Sequence, residues 1–278
     1  RLAVLFWARH VAVGDASVTG ARDPWSGRSI VLRTVAVRES DLVLTLLSAE
    51  RGRIDAIARG ARKSRRRFPG GLPVGARGEA ELRRGRGRLE NLERFEFTHD
   101  NAAIGRDLRR FGYVSYLCEI TDQLVSGDGV ERAIYAALDR ALEGVLGTEP
   151  DPEMLRSYEL KLLDHLGLLP SLSRCCACGG VVESGASQGV AYDVPRGGVL
   201  CREHAGRAAT RLDPKVLLLT QALRSSSGPG VLADASVPVR RGVRDLCLQV
   251  VRQHLVRPLK SAEFFAQIAR DQRSLSPG

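Results

Sequence analysis

Four side chains in one stretch of the chain have the types and the spacing to hold a metal ion. Two residues separate Cys175 from Cys178 and Cys201 from His204, and twenty-two residues divide the pairs. Two such knuckles joined by a loop can place four donors at the corners of a tetrahedron. Thiolates with an imidazole suit Zn2+, at about 2.0–2.3 Å. Gly179-Gly180, directly after the first pair, lets backbone amides turn towards the sulfurs. With all four corners filled, no position is left for a substrate, so the expectation is one structural Zn2+. Cys176 could replace Cys175 with a small backbone change, and spacing does not choose between them. Free thiols, or a disulfide from Cys175 or Cys176 to Cys201, compete with this reading. The first residues show no secretory pattern, and the reducing cytosol expected for the chain disfavours the disulfide. A redox CxxC would open a helix after a strand, whereas this one follows Leu168-Leu169-Pro170 and precedes two glycines. Cys118 and Cys247 fall on apolar helix faces and are read as core.

The second chemical signal is charge. The chain carries +10, and the stretch from Arg51 to Arg88 holds thirteen basic residues against Asp55, Glu79 and Glu81, which accounts for the whole excess. The other 240 residues balance at 29 basic and 29 acidic. An excess so localised marks a surface for a polyanion. Twelve of the thirteen are arginine, whose planar fork matches phosphate. The expected DNA-binding residues are Arg59, Arg62, Lys63, Arg65, Arg66 and Arg67, with Arg83, Arg84, Arg86 and Arg88 as a companion cluster. Phe68 could stack on a base, but an apolar anchor for the loop is the favoured reading. No amphipathic helix accompanies the charge, so nucleic acid ranks well above a membrane surface. No apolar run reaches eighteen residues, which excludes a spanning helix.

Both sets of residues need elements to position them. Residues 1–26 have no sustained period and read as a poorly ordered N-terminal extension. Residues 27–100 read as short strands at 29–37, 42–47, 53–58, 76–82 and 88–97. Glu50-Arg51-Gly52 marks a hairpin, and 60–75, rich in Gly, Pro and charge, forms a loop. Five short strands suit an OB-fold barrel, although an SH3-like barrel fits nearly as well on counting alone. From 101 to 278 the period becomes helical. Ile104, Leu108, Phe111, Tyr113, Leu117, Ile120 and Leu124 form one stripe, and Val130, Ile134, Leu138, Leu142 and Val145 a second. Asp151-Pro152-Glu153 starts a third helix that Gly167 ends; Asp213-Pro214 opens a fourth, and 239–256 form a fifth before Pro258. The Cys- and Gly-rich interruption at 171–211 is the metal module. The class is α+β: an N-terminal five-stranded OB-fold barrel, then an all-α domain with an inserted zinc-binding module.

Catalytic signatures are missing. There is no GxxxxGK[ST] phosphate loop, no HExxH and no GxSxG, and the acids are scattered along helix faces rather than paired for two metals. His10, His99, His165 and His254 stand alone. The chain is not expected to be an enzyme.

Ser29-Ile30-Val31-Leu32-Arg33-Thr34, Glu39-Ser40-Asp41, Glu50-Arg51-Gly52-Arg53 and Arg59-Gly60-Ala61-Arg62-Lys63 together resemble the opening of the RecO family of recombination mediators. The similarity continues through Glu81-Leu82-Arg83-Arg84-Gly85-Arg86-Gly87, Glu159-Leu160-Lys161-Leu162-Leu163 with Gly167, Cys175-x2-Cys178-Gly179 and Leu259-Lys260-Ser261, covering about 28–262. The resemblance implies binding of single- and double-stranded DNA, annealing of complementary strands, and help in loading RecA onto DNA coated by single-strand-binding protein. It implies RecR and the acidic C-terminal tail of single-strand-binding protein as partners, and a cytoplasmic, nucleoid-associated location. Cys175, Cys178 and Cys201 match the family's metal positions, and His204 stands where Cys is often found. The alternative is a structural zinc adaptor acting through protein or RNA contacts.

Overall fold

The computed structural model of the protein describes residues 24–69, 71–85, 87–99, 104–105, 107–125, 132–182, 189–206, 209–225 and 230–265. Residues 1–23 of the expected extension lie outside them. Strand β1 (Trp25–Ala36) already begins at Trp25, four residues before the apolar run at 29. Ser26, Gly27 and Arg28 have weak strand propensity, but their pairing with Glu81, Ala80 and Glu79 draws them into the sheet. Gly27 is needed there, because a Cβ would run into the Trp25 ring.

Four further strands follow: β2 (Leu42–Ser48), β3 (Gly52–Ala58), β4 (Arg77–Arg83) and β5 (Glu90–Phe97). They close in the order β1-β2-β3-β5-β4, with β4 returning to β1. All neighbours are antiparallel except β3 and β5, which pair parallel at Ala56–Glu90 and Ile57–Asn91. That parallel closure gives an OB-like barrel where strand counting left two candidates. Strict alternation in β3 turns Ile54, Ala56 and Ala58 inward, onto Leu44, Leu46, Ala80, Leu82, Leu92 and Phe95. The register of β1 against β2 shifts between Val31 and Arg33, and alternation along β1 lets its two faces serve two cores. Val31 faces the barrel interior, while Ile30 and Leu32 join Leu47 and Ala49 against the helices.

The helical part comprises α1 (Leu108–Leu124), α2 (Arg132–Gly147), α3 (Pro152–His165), α4 (Pro214–Ser225) and α5 (Val237–His254). Asp107 caps α1 by accepting from the Arg109 and Arg110 amides. Asp151 caps α3 through the Glu153 amide, and Gly167, at φ +67°, ends it as its sequence predicts. The expected α1 stripe is corrected at its start, since Leu108 and Phe111 are exposed. The rest of that stripe, Ile104, Tyr113, Leu117, Ile120 and Leu124, is buried as expected, and Val114, Tyr116 and Cys118 are buried with it because barrel and helices pack around α1 on several sides. In the α2 stripe Ile134, Leu138, Leu142 and Val145 are buried as expected, and Val130 lies outside the described residues. Between α3 and α4 lie three short strands, β6 (Val190–Asp193), β7 (Gly198–Leu200) and β8 (Thr210–Leu212), in the order β7-β6-β8. Val190, Tyr192 and Val199 fasten this module to the helical core. Among the described residues, no helix is long and apolar enough to cross a membrane.

Ion pairs tie the barrel to the helices. Arg33 and Arg53 of the barrel and Arg257 near the end converge on the buried Asp122 of α1, at 3.3, 3.2 and 3.6 Å. Buried Arg77 bonds Asp139 of α2 at 3.0 Å.

Candidate nucleic-acid interface and metal site

The basic loop begins where β3 ends. Gly60 takes φ +66°, and its amide donates to Asp41 Oδ1 at 2.8 Å. The Lys63 and Ser64 amides donate to Gly60 O, the Arg62 amide to Ser40 O, and the Phe95 amide to Arg67 O. Phe68, 1% exposed, plugs the barrel among Leu72, Leu92 and Phe95. It is therefore the loop's anchor and offers no face to a base. With its backbone hooked at both ends, the loop turns Arg59, Arg62, Lys63, Arg65 and Arg66 to solvent. None of these five meets an acid among the described residues, although Arg62 Nη1 donates to Glu39 O at 3.1 Å. Arg67 is half-buried and partly spoken for: Nη2 donates to Arg59 O at 2.7 Å, and the guanidinium lies 5.2 Å over the Phe68 ring.

The companion cluster sits on the β4–β5 turn. Arg83, Arg84 and Arg88 are exposed, and Arg86 lies outside the described residues. Gly85 permits the tight approach of the turn, since a Cβ would run into Leu89 O. The register puts the two clusters towards opposite ends of β5. Arg67 lies beside Phe95, while the turn ends at Glu90, five residues or about 17 Å back along the strand. Arg51, Arg53 and Arg77, counted in the same basic stretch, have other work: Arg51 makes a bidentate pair with Glu90, and the other two hold the seam.

The four expected metal ligands converge. One donor atom each from Cys175, Cys178, Cys201 and His204 lies within 4.8 Å of the others. Cys201 Sγ is 3.1 Å and Cys175 Sγ 3.9 Å from His204 Nδ1, and Cys178 Sγ is 3.9 Å from Cys201 Sγ. A tetrahedral ion with arms of about 2.0–2.3 Å has edges of about 3.5–3.8 Å, so the donors fit a metal ion. The first knuckle is a tight turn, closed by Cys175 N–H to Gly180 O and Gly179 N–H to Cys175 O with Gly179 at φ +74°. The second is a turn in which the His204 and Ala205 amides donate to Cys201 O. Backbone amides of Cys201, then Ala177 and Cys178, pull the Cys175 thiol down to about 6, against the effect of burial. At Cys178 the Gly180 amide pulls down, but donation to the Cys175 and Cys201 sulfurs outweighs it and the thiol ends raised. The structure decides between the neighbouring cysteines. The Cys176 amide is bound to Val199 O and its side chain packs by Gly198, outside the cluster, where burial raises its thiol.

Sequence reasoning missed a groove of about 1770 Å3 between the start of α3, α5 and residues 255–265. Its lining includes Leu232, Leu248 and Phe265, with Arg240, Arg241 and Arg252. The available signal is in α5, whose exposed arginines recur along one face beside the core stripe that the sequence reading uses. Arg156 lines the groove and is 8% exposed at its side chain. Its Nη2 meets the buried Glu159 carboxylate at 2.7 Å, which the Tyr116 hydroxyl also reaches, while its Nε and Nη1 have no hydrogen-bond partner among the described residues. Burial pushes the Glu159 carboxyl up against the pull of Arg156 and Tyr116.

The family model described as "Recombination protein O N terminal" matches residues 23–100, and "Recombination protein O C terminal" matches 105–263. A protein named DNA repair protein RecO, from Anaeromyxobacter sp. (strain K), is 35% identical over 244 residues, covering 86% of this chain and 94% of that one. The Myxococcus xanthus (strain DK1622) protein of the same name is 31% identical over 243 residues, 87% of this chain and 97% of its own. That from Symbiobacterium thermophilum (strain DSM 24528 / JCM 14929 / IAM 14863 / T) is 36% identical over 189 residues, 66% and 73% of the two chains.

Proposed function

The chain belongs to the RecO family, and on that premise we propose that it is a recombination mediator without catalysis of its own. It binds single- and double-stranded DNA, anneals complementary strands and, with RecR, helps load RecA onto DNA coated by single-strand-binding protein. The observation that carries this is the rigid 59–67 loop, which presents five cations without an acidic partner among the described residues. Two DNA strands repel one another until cations screen them, so a surface able to neutralise phosphates of both favours annealing with no bond made or broken. Arg83, Arg84 and Arg88, towards the other end of β5, would reach phosphates about five base steps of 3.4 Å away, and Arg86 belongs to the same expected set but lies outside the described residues.

The groove beside α5 is the dock we assign to the acidic tail of single-strand-binding protein. Its arginines match the charge, and its apolar lining receives apolar side chains. Cys175, Cys178, Cys201 and His204 would hold one Zn2+, which would supply cross-linking rather than chemistry on a substrate, since the chain would fill all four corners. Cys175 and Cys178 fix the hairpin before β6, Cys201 and His204 fix the turn after β7, and the two are thereby locked together.

Single-stranded DNA binding followed by anisotropy across a salt series tests the central reading. Five phosphates neutralised predict that log K falls with log salt at a slope of about −3.5 on single strands and about −4.5 on duplex. Annealing should need no ATP. A flat salt dependence would overturn the DNA-binding role.

A further inference from the structure

We propose that Cys178 and Cys201 form a redox modification site, which a peroxide closes into a disulfide with loss of the metal from the knuckles. The inference rests on the zinc reading above and adds a chemistry to it.

The four ligands are not equally protected. Cys175 is 2% exposed and packs with Ala191 and Leu200 in the small core of the module. Cys178 is exposed and Cys201 half-buried, and their sulfurs stand 3.9 Å apart. The fourth ligand is His204, which cannot enter a disulfide, so three thiols yield one bridge and leave one sulfur over. Access selects the pair: an oxidant arriving from solvent meets Cys178 first, and Cys201 is a neighbouring sulfur at contact distance. Closing the gap from 3.9 Å to about 2.05 Å requires movement of the 201–205 turn. That turn is held by its own amides on Cys201 O, with His204 exposed and Cys201 half-buried.

With hydrogen peroxide as oxidant the step balances. The Cys178 sulfur, a thiolate in the form that would hold the metal, attacks one peroxide oxygen, the O–O bond breaks, hydroxide leaves, and Cys178 becomes a sulfenic acid. The Cys201 thiolate then attacks that sulfur, the S–O bond breaks, a second hydroxide leaves, and the S–S bond forms. Two electrons pass from the sulfurs to peroxide, and the two hydroxides take protons from solvent. The knuckles keep only Cys175 and His204, too few donors for a closed site. Because Val190, Tyr192 and Val199 share the helical core, the loss loosens that side of the protein while the barrel loop at 59–67 keeps its hooks.

The test uses the full chain, purified under reductant, freed of it, and assayed for zinc. Hydrogen peroxide is then added stepwise, with a chromogenic chelator reporting free zinc and peptide mapping without reductant reporting the bridges. One zinc released per chain, a product lighter by two hydrogens, and a peptide joining Cys178 to Cys201 are expected, all reversed by dithiothreitol with added zinc. The Cys176→Ser variant should behave identically. Zinc retained through oxidation, or a bridge joining Cys175 to Cys178 or using Cys176, would overturn the proposal. A chain that never held zinc would instead overturn the metal reading, and its disulfide map would still decide which sulfurs pair.

Discussion

The loop at 59–69 and the knuckles at 175–204 are both irregular backbone carrying the residues that matter, yet they are fixed in opposite ways. The barrel loop is shaped from within, by Gly60 on Asp41, the Phe95 amide on Arg67 O, and Phe68 driven into the barrel core. Its cations take almost no part in that scaffold, so they are free to act on something else. The knuckles are the reverse. Their apolar anchors are small, and the four side chains that would do chemistry are the same ones that converge to hold the turns together. A functional side chain costs the fold nothing in the first region and is the fold in the second. Substitution should therefore separate stability from binding cleanly, and three changes test that separation.

The largest effect belongs to Cys178→Ser. Metal binding in such a module is coupled to folding, with zinc contributing up to about 10–16 kcal/mol in isolated finger peptides. Loss of one thiolate should empty the site and lower the thermal midpoint by about 10 °C or more, read by calorimetry beside a zinc assay. The salt slope for DNA should stay where it was. A variant that lost zinc yet melted with the wild type would show that packing against Tyr192 and Val199 holds the module without metal.

Phe68→Ala comes next. As a buried anchor it should cost about 3–5 kcal/mol through the cavity it leaves. As a base-stacking residue it would cost affinity and leave stability alone. Its 1% exposure predicts the first pattern. Chemical denaturation and anisotropy on the same preparation distinguish the two.

The sequence spoke clearest where the determinants are local. Two-residue spacings and a glycine pair pointed to the three cysteines and one histidine that cluster, and the Asp-Pro-Glu start and Gly167 stop bounded α3. Choosing Cys175 over Cys176 needed the hydrogen bond from the Cys176 amide to Val199 O, twenty-three residues on, which no local pattern announces. The division of the arginines was hidden for the same reason. Arg53 and Arg77 find Asp122 and Asp139 at separations of 69 and 62 residues, so composition alone counted them with the free cations. Leu108 and Phe111 were misplaced because a central helix is apolar on several sides, and a single stripe then has no unique start. The groove was missed because it exists only once α3, α5 and the C-terminal segment are assembled.

The smallest effect on stability, and the one that most sharpens the contrast, is the combined change Lys63→Ala, Arg65→Ala and Arg66→Ala. These side chains are exposed and meet no acid among the described residues, so stability should move by no more than about 0.5 kcal/mol. The salt slope on single strands should become shallower by about 2, at about 0.7 for each phosphate no longer neutralised. Arg67→Ala is the internal control. Its guanidinium already serves Arg59 O and the Phe68 ring, so it should loosen the loop measurably while changing the slope by less than the share of a single phosphate. If the triple change left the slope intact, the phosphates would be held elsewhere, and the turn carrying Arg83, Arg84 and Arg88 would be the next place to cut. If Arg67→Ala flattened the slope as strongly as the triple change, the scaffold and the binding surface of this loop would be one and the same. The barrel loop would then be built like the knuckles after all.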